Sequence, residues 1–252
     1  SCRDSVLNLL LLEPHEVGPD GRVPLSGSRA THLIGVLGVV PGQAVRVGVV
    51  DGPRGTGTVL STGAGTVELA CVFEESTPDR PRVDLLLAAP RPKVMRRLWA
   101  QLASLGVGRI IITNAEKVER PYFDTHVLTP ECYRPLLIEG LQQARDSRLP
   151  AVSIHRRFRI LIEDELDGLC EGSLRLVADP SATASARETL VGNRVRRVLL
   201  AVGPEGGWNS FELGLLAAHG FAGIGMGPRT LRTDTACLAL LALVHDAIAQ
   251  RL

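Results

Sequence analysis

Two short stretches near the C-terminus carry residues whose types and spacing could do chemistry. They are Gly203-Pro204-Glu205-Gly206-Gly207 and Gly225-Met226-Gly227-Pro228-Arg229-Thr230-Leu231-Arg232-Thr233-Asp234-Thr235-Ala236. Glycines let backbone amides approach a ligand where a side chain would clash. Glu205 sits between glycines, and a tight turn does not require a carboxylate. Arg229, Arg232 and Asp234 open an otherwise apolar helix. Helix N-termini favour anions, so two cations there call for a polar partner. Each stretch follows an apolar run that reads as a buried strand. Paired turns at the C-terminal ends of neighbouring strands are where an α/β protein holds a small ligand. The combination points to catalysis on a polar or anionic substrate.

Other chemistries leave no trace. There is no Gly-x-x-x-x-Gly-Lys phosphate loop, no Gly-x-Ser-x-Gly elbow and no His-Glu-x-x-His. Glycines 223, 225 and 227 end a strand late in the chain, the wrong context for a dinucleotide fingerprint. The six histidines form no cluster, and the five cysteines have no metal-ligand spacing. The cysteines are expected as free thiols in a reducing compartment, and no metal is expected. Trp99 and Trp208 read as packing residues, Trp208 the more notable for following the glycine turn.

The elements that must position the two stretches follow from the apolar pattern. Residues 6–75 alternate short apolar runs with Gly, Pro, Asp and Ser turns: Val6–Leu12, Gln43–Val50, Gly57–Ser61 and Thr66–Phe73, with a short helix at His32–Leu37. This is the spacing of a small barrel. Thr77–Pro81 reads as a linker. From residue 82 strands alternate with helices. Strands are expected at Val83–Ala88, Arg109–Thr113, Leu174–Ala178, Val198–Val202 and Phe221–Met226. Helices are expected at Val94–Leu105, closed by Gly106, at Pro130–Arg145, from Asn209 with a capping box to Glu212, and at Thr235–Leu252. Such alternation predicts a mostly parallel sheet covered on both faces.

At 252 residues, 45% hydrophobic and 22% charged, the chain can bury a full core. Net charge is +1, but it is unevenly spread. Residues 1–76 carry five Arg against eight acids, and residues 80–160 carry fifteen Lys or Arg against seven. A basic middle suggests a localised anion-binding surface. By charge alone Arg91, Lys93, Arg96, Arg97, Arg145, Arg148, Arg156 and Arg157 are the candidates for phosphate contacts. No signal peptide or membrane span is visible.

The paired stretches, with Leu105-Gly106-Val107 before a strand, resemble the motifs of the bacterial 16S ribosomal RNA uridine-N3 methyltransferases of the SPOUT superfamily. The resemblance spans the whole chain. It implies an α/β, SPOUT-type, mostly parallel sheet with a C-terminal trefoil knot over residues 82–252. It further implies a PUA-like β-barrel, an RNA-binding domain, over residues 1–76. It implies S-adenosyl-L-methionine as cofactor, a homodimer, ribosomal RNA or the small ribosomal subunit as partner, and a bacterial cytoplasm or an organelle with bacterial-type ribosomes. Carried over by position, Gly203, Pro204, Glu205, Gly206 and Gly207 form one wall of the cofactor pocket. Met226, Gly227, Leu231, Thr235 and Ala236 form the other. Arg232 would stabilise charge on the uridine, with Glu205 or Asp234 taking its proton. Asp234 stands where Glu is usual, and the arginine that commonly follows His32 in the family is missing. The alternatives are a methyltransferase for another base or RNA, and a knotted RNA-binding or assembly factor without catalysis.

Overall fold

Leucine- and valine-rich runs broken by Gly, Pro and Asp turns build the first five strands. They are β1 (Leu10–Leu12), β2 (Arg22–Ser26), β3 (Ala44–Val49), β4 (Arg54–Thr62) and β5 (Thr66–Phe73), with α1 (Gly27–Gly35) after β2. The computed structural model describes residues 9–191, 197–229 and 231–249. The start of the expected first strand (Val6), Cys2, Thr230 and the end of the last helix lie outside them. The five strands form one sheet in the order β1-β3-β4-β5-β2, with β1–β3 parallel and the remaining pairs antiparallel. Alternate residues point inward, and Leu12, Val23, Leu33, Val47 and Leu69 meet in its core. The helix expected at His32–Leu37 begins earlier, at Gly27, and ends at Gly35.

The second sheet comes from β6 (Val83–Ala88), β7 (Val107–Thr113), β8 (Ala151–His155), β9 (Leu174–Ala178), β10 (Val198–Val202) and β11 (Phe221–Ile224). Its order is β11-β9-β10-β6-β7-β8 and every pair is parallel. β6 and β10 are buried along their whole length, as strands covered on both faces must be. The helices are α2 (Pro92–Ser104), α3 (Pro130–Ala144), α4 (Phe158–Ile160), α5 (Leu166–Leu169), α6 (Ala186–Leu190), α7 (Ser210–Ala218) and α8 (Thr233–Ala249). One π-helical turn, Leu161–Glu165, joins α4 to α5. α8 packs on β6, β10 and α2. Gly106 closes α2 with a φ of 78°.

The chain divides into two compact units. One holds the chain up to Arg80 with Ile138–Leu149, and the other holds Pro81–Leu137 with the chain from Pro150 onward. The break after Arg80 falls in the expected linker, whereas the linear division 1–76 and 82–252 does not separate out Ile138–Leu149. In the second unit Asp84 is buried within β6, and Arg197 grips both its oxygens at 2.7 and 3.2 Å. No described helix is long and apolar enough to cross a membrane.

On α8, burial holds the His245 imidazole below its ordinary value of 6.5, and the Arg82 guanidinium pushes the same way against the Gly106 and Leu105 backbone. The unfolded chain then takes up the proton more readily than the folded one. Stability from this group is complete above pH 6.5 and is lost as pH falls from there towards the folded value. Both tryptophans, Trp99 and Trp208, lie in the second unit. The urea midpoint followed by their fluorescence is therefore expected to drop on acidification through this window, and His245→Leu to flatten the drop.

Candidate functional site

Strands β10, β9 and β11 lie side by side and parallel, so their C-terminal ends emerge together. The turns that follow, 178–180, 202–207 and 224–227, enclose a cavity of about 390 Å³ with the start of α8. Val202, Ile224, Leu231 and Leu240 make it apolar, and Asp179, Glu205 and Arg229 bring charge. The volume and the mixture suit a small molecule with a flat apolar part and charged ends.

Close backbone approach shapes each turn. A Cβ on Gly225 would lie 2.2 Å from the Ala182 carbonyl oxygen, because the turn after β9 packs directly on it. The Asp179 N–H donates to the Ile224 carbonyl at 3.0 Å, and the Gly225 N–H to that of Ala184 at 2.9 Å. A Cβ on Gly203 would meet the Trp208 ring at 3.1 Å. Trp208 is 7% exposed and packs against Phe158, the ring centroids 5.3 Å apart and the planes tilted by 33°. Gly207 takes a φ of 70° and closes the turn by donating to Pro204 at 2.8 Å. A Cβ on Gly207 or Gly227 would meet nothing within 4 Å, so backbone faces open space there.

The turn after β10 is braced from the segment after β7. Asn209 caps α7, its side-chain oxygen accepting from the Glu212 N–H, and the buried Glu212 carboxylate accepts in return from the Asn209 N–H. The other Glu212 oxygen accepts from the Glu116 N–H at 2.8 Å. Lys117 donates to the Gly206 carbonyl at 2.5 Å. Two ion pairs reach the site from α2: Arg91 to Glu205 at 3.1 Å and Arg97 to Asp234 at 3.2 Å. Burial, then Asp234, pushes the Cys237 thiol up to about 12, so it remains protonated. Burial likewise pushes the Cys170 thiol up to about 11. Neither is a nucleophile at neutral pH.

The turns singled out in the sequence are thus brought together. Gly203, Pro204, Glu205, Gly206, Gly207, Met226, Gly227, Leu231 and Ala236 line the cavity. Arg232, Asp234 and Thr235 do not line it. Arg232 precedes the first residue of α8, exposed to solvent, and its carbonyl accepts from the Ala236 N–H. Arg229, Thr233 and the Ala178-Asp179-Pro180 turn line the cavity and were not among the expected ligand contacts. An Asp-Pro turn directly after an apolar strand was the available signal for that turn. Of the expected phosphate contacts, Arg91, Lys93, Arg96 and Arg97 are exposed at the start of α2, and Arg157 is exposed before α4. Arg156 is engaged with Asp124 and the Phe123 carbonyl. Arg145 and Arg148 belong to the first unit.

Gly225→Ala must push the turn after β9 aside and is expected to cost about 1–3 kcal/mol. Gly207→Ala meets only its positive φ, about 1 kcal/mol. Glu212→Ala strands two amides and is expected to cost about 2–4 kcal/mol. Urea unfolding followed by tryptophan fluorescence checks this ranking.

A family model described as an RNA methyltransferase domain matches residues 77–245. The chain is 31% identical over 247 residues to the ribosomal RNA small subunit methyltransferase E of Treponema pallidum, spanning 94% of this chain and 90% of that relative. It is 23% identical to the ribosomal RNA small subunit methyltransferase E 1 of Borreliella burgdorferi, spanning 92% of this chain and 95% of that one. Among solved structures, the ribosomal RNA small subunit methyltransferase E of Neisseria gonorrhoeae bound to S-adenosyl methionine superposes with a TM-score of 0.76. It covers 94% of this chain and 96% of that one at 21% identity, a likeness of fold. By the matched domain and the Treponema relative together, this chain belongs to the ribosomal RNA small subunit methyltransferase E family of RNA methyltransferases.

Proposed function

We propose that the protein is an S-adenosylmethionine-dependent methyltransferase acting on N3 of a uridine in small-subunit, 16S-type ribosomal RNA. The observation that carries the reading is the cavity cupped by three turns at the ends of β9, β10 and β11, in a chain of this family. The residues present fit such a cofactor. Open space over Gly207 and Gly227 leaves room for a ligand against bare backbone. Apolar Val202, Ile224, Leu231 and Leu240 suit a purine, and Asp179, Glu205 and Arg229 suit its charged substituents. When bound, the cofactor supplies an electrophilic methyl group.

The protein's own residues have three tasks. The turns hold the ligand so that the acceptor nitrogen can approach in line. Arg232, exposed between the cavity-lining residues Leu231 and Thr233, stabilises negative charge spreading onto the uridine carbonyl oxygens. Glu205 or Asp234 accepts the N3 proton. Both carboxylates are paired with arginines of α2. Exposed pairs of this kind are worth about 0–1 kcal/mol, so RNA phosphates can take the guanidinium groups and release the carboxylates. The target base must be unpaired or flipped to be reached.

The wider reading goes with this one. Residues 1–76 form a PUA-like RNA-binding domain and 82–252 a SPOUT domain with a trefoil knot. The protein acts as a homodimer, and the bacterial sources of its relatives fit a bacterial cytoplasm. Exposed Phe211 on α7 and Leu243 on α8 support a second copy as partner.

Arg232→Ala is expected to abolish methylation while leaving cofactor affinity within a few-fold. Arg229→Ala, on the cavity wall, is expected to weaken cofactor binding itself. Calorimetry with S-adenosylmethionine and mass mapping of nucleosides in reacted small-subunit RNA read the two effects. No heat with the cofactor would overturn the reading, and a modified nucleoside other than 3-methyluridine would reassign the target.

A further inference from the structure

The first unit carries fewer basic than acidic residues, yet three of its arginines are gathered in one place. Arg46, Arg54 and Arg145 surround a hollow of about 460 Å³ on the outer face of the first sheet. Arg46 stands opposite Thr56, and Thr56 opposite Val72, so the three form a row across β3, β4 and β5. Glu74 is the one carboxylate in the lining, and it reaches Arg54 only at 3.9 Å. Among the described residues neither Arg46 nor Arg145 has an ion-pair partner. Val72 beside them is 76% exposed.

Arg145 is held there at a cost. It follows the last residue of α3 with a φ of 57°, in the left-handed conformation that favours glycine. The Asp146 N–H donates back to the Leu141 carbonyl at 3.0 Å, the helix-ending arrangement in which glycine usually stands at the Arg145 position. An arginine in a glycine's place is a strain that local structure does not require. The segment is also pinned. Arg54 donates to the Arg145 carbonyl, Ser147 donates to the Gly52 carbonyl at 2.6 Å, and the Asp51 N–H donates to the Ser147 carbonyl at 2.7 Å. The three guanidinium groups therefore converge on a rigid frame rather than on mobile loops.

We infer that this hollow is a seat for the phosphate backbone of an RNA strand, with Arg46, Arg54 and Arg145 as its contacts. Planar guanidinium groups bind phosphate oxygens bidentately. Three of them facing one carboxylate leave an excess of positive charge that a phosphodiester neutralises. Val72 offers an apolar surface for the adjoining sugar or base. The assignment rests on the proposal that RNA is the substrate, and it adds a contact surface remote from the cofactor turns in sequence.

The test uses the full chain, fluorescein-labelled small-subunit ribosomal RNA and anisotropy over a range of salt. Arg46→Ala and Arg145→Gly are each expected to weaken binding about tenfold and to lower the salt slope by about one. Arg145→Gly relieves the left-handed strain, so its melting temperature is expected to be unchanged or higher, which separates lost contact from lost fold. Arg22→Ala, on an arginine of the same unit already paired with Asp20 and Glu68, is expected to change neither quantity. Unchanged affinity and slope in Arg46→Ala and Arg145→Gly would overturn the seat. Equal loss in Arg22→Ala would overturn it in favour of diffuse charge. Inorganic phosphate is expected to compete no better than chloride at equal ionic strength, and displacement at low phosphate would assign the hollow to a small free anion instead. Calorimetry with S-adenosylmethionine on the same variants is expected to be unaltered. A wild-type chain that binds RNA through these arginines but takes up no cofactor would defeat the methyltransferase reading and leave the seat standing.

Discussion

The hydrogen-bonded row β10-β9-β11 is the constraint from which the site follows. Strand order here is not chain order. β9 lies between two strands that come after it, and all three point the same way. Parallel pairing fixes where each strand ends relative to its neighbours, so three turns far apart in sequence open at one edge. The approach is close enough that only bare backbone fits at Gly225, against the Ala182 carbonyl. Reversing any one of the three strands would carry its turn to the opposite edge and open the cavity wall. The Glu212 carboxylate then holds the β10 turn in place by satisfying amides from both sides of it.

The ion pairs differ in how firmly they are held. Asp84, buried in β6, is held bidentately by half-buried Arg197, a pair that serves the fold. The pairs at the cavity rim are of another kind. Arg91–Glu205 and Arg97–Asp234 are solvent-exposed on the arginine side, and water screens them. Such pairs keep two carboxylates and two guanidinium groups from repelling their own kind in the free protein. They yield readily to a partner with more charge. The first unit follows the same logic, with paired Arg22 and Arg29 set apart from the unpaired Arg46 and Arg145.

Much of this was legible in the sequence where local pattern decides structure. The apolar runs at 83–88, 174–178 and 198–202, the first two each carrying one charged residue (Asp84, Arg175), became strands at those bounds, and the Asn209 capping box and the Gly106 helix end formed as their residues dictate. Elements ruled by long-range pairing were not legible. β2 holds Pro24, which argues against a strand, and it is tolerated because β2 lies at the sheet edge. β8 is likewise an edge strand, half polar and half exposed. The Asp179 turn was passed over because nothing near it resembles the glycine-rich pair. Its role comes from β9 being inserted between β10 and β11, which no local period encodes. Charge alone makes Arg145 one of eight candidate phosphate contacts, and its left-handed φ is invisible until the helix end is built.

The two arginines of the second turn, indistinguishable by type, are separated by where they stand. Arg229 belongs to the cavity wall, among residues that would touch the cofactor. Arg232 lies outside the lining, on the last residue before α8, flanked by Leu231 and Thr233, which do line it. A cation on the wall would act on whatever the cavity holds, equally before and during reaction. One exposed outside the lining is free to act on a second molecule presented to it as charge develops there. On the proposed function, three residues of chain would separate a cofactor contact from a residue that acts on the RNA base.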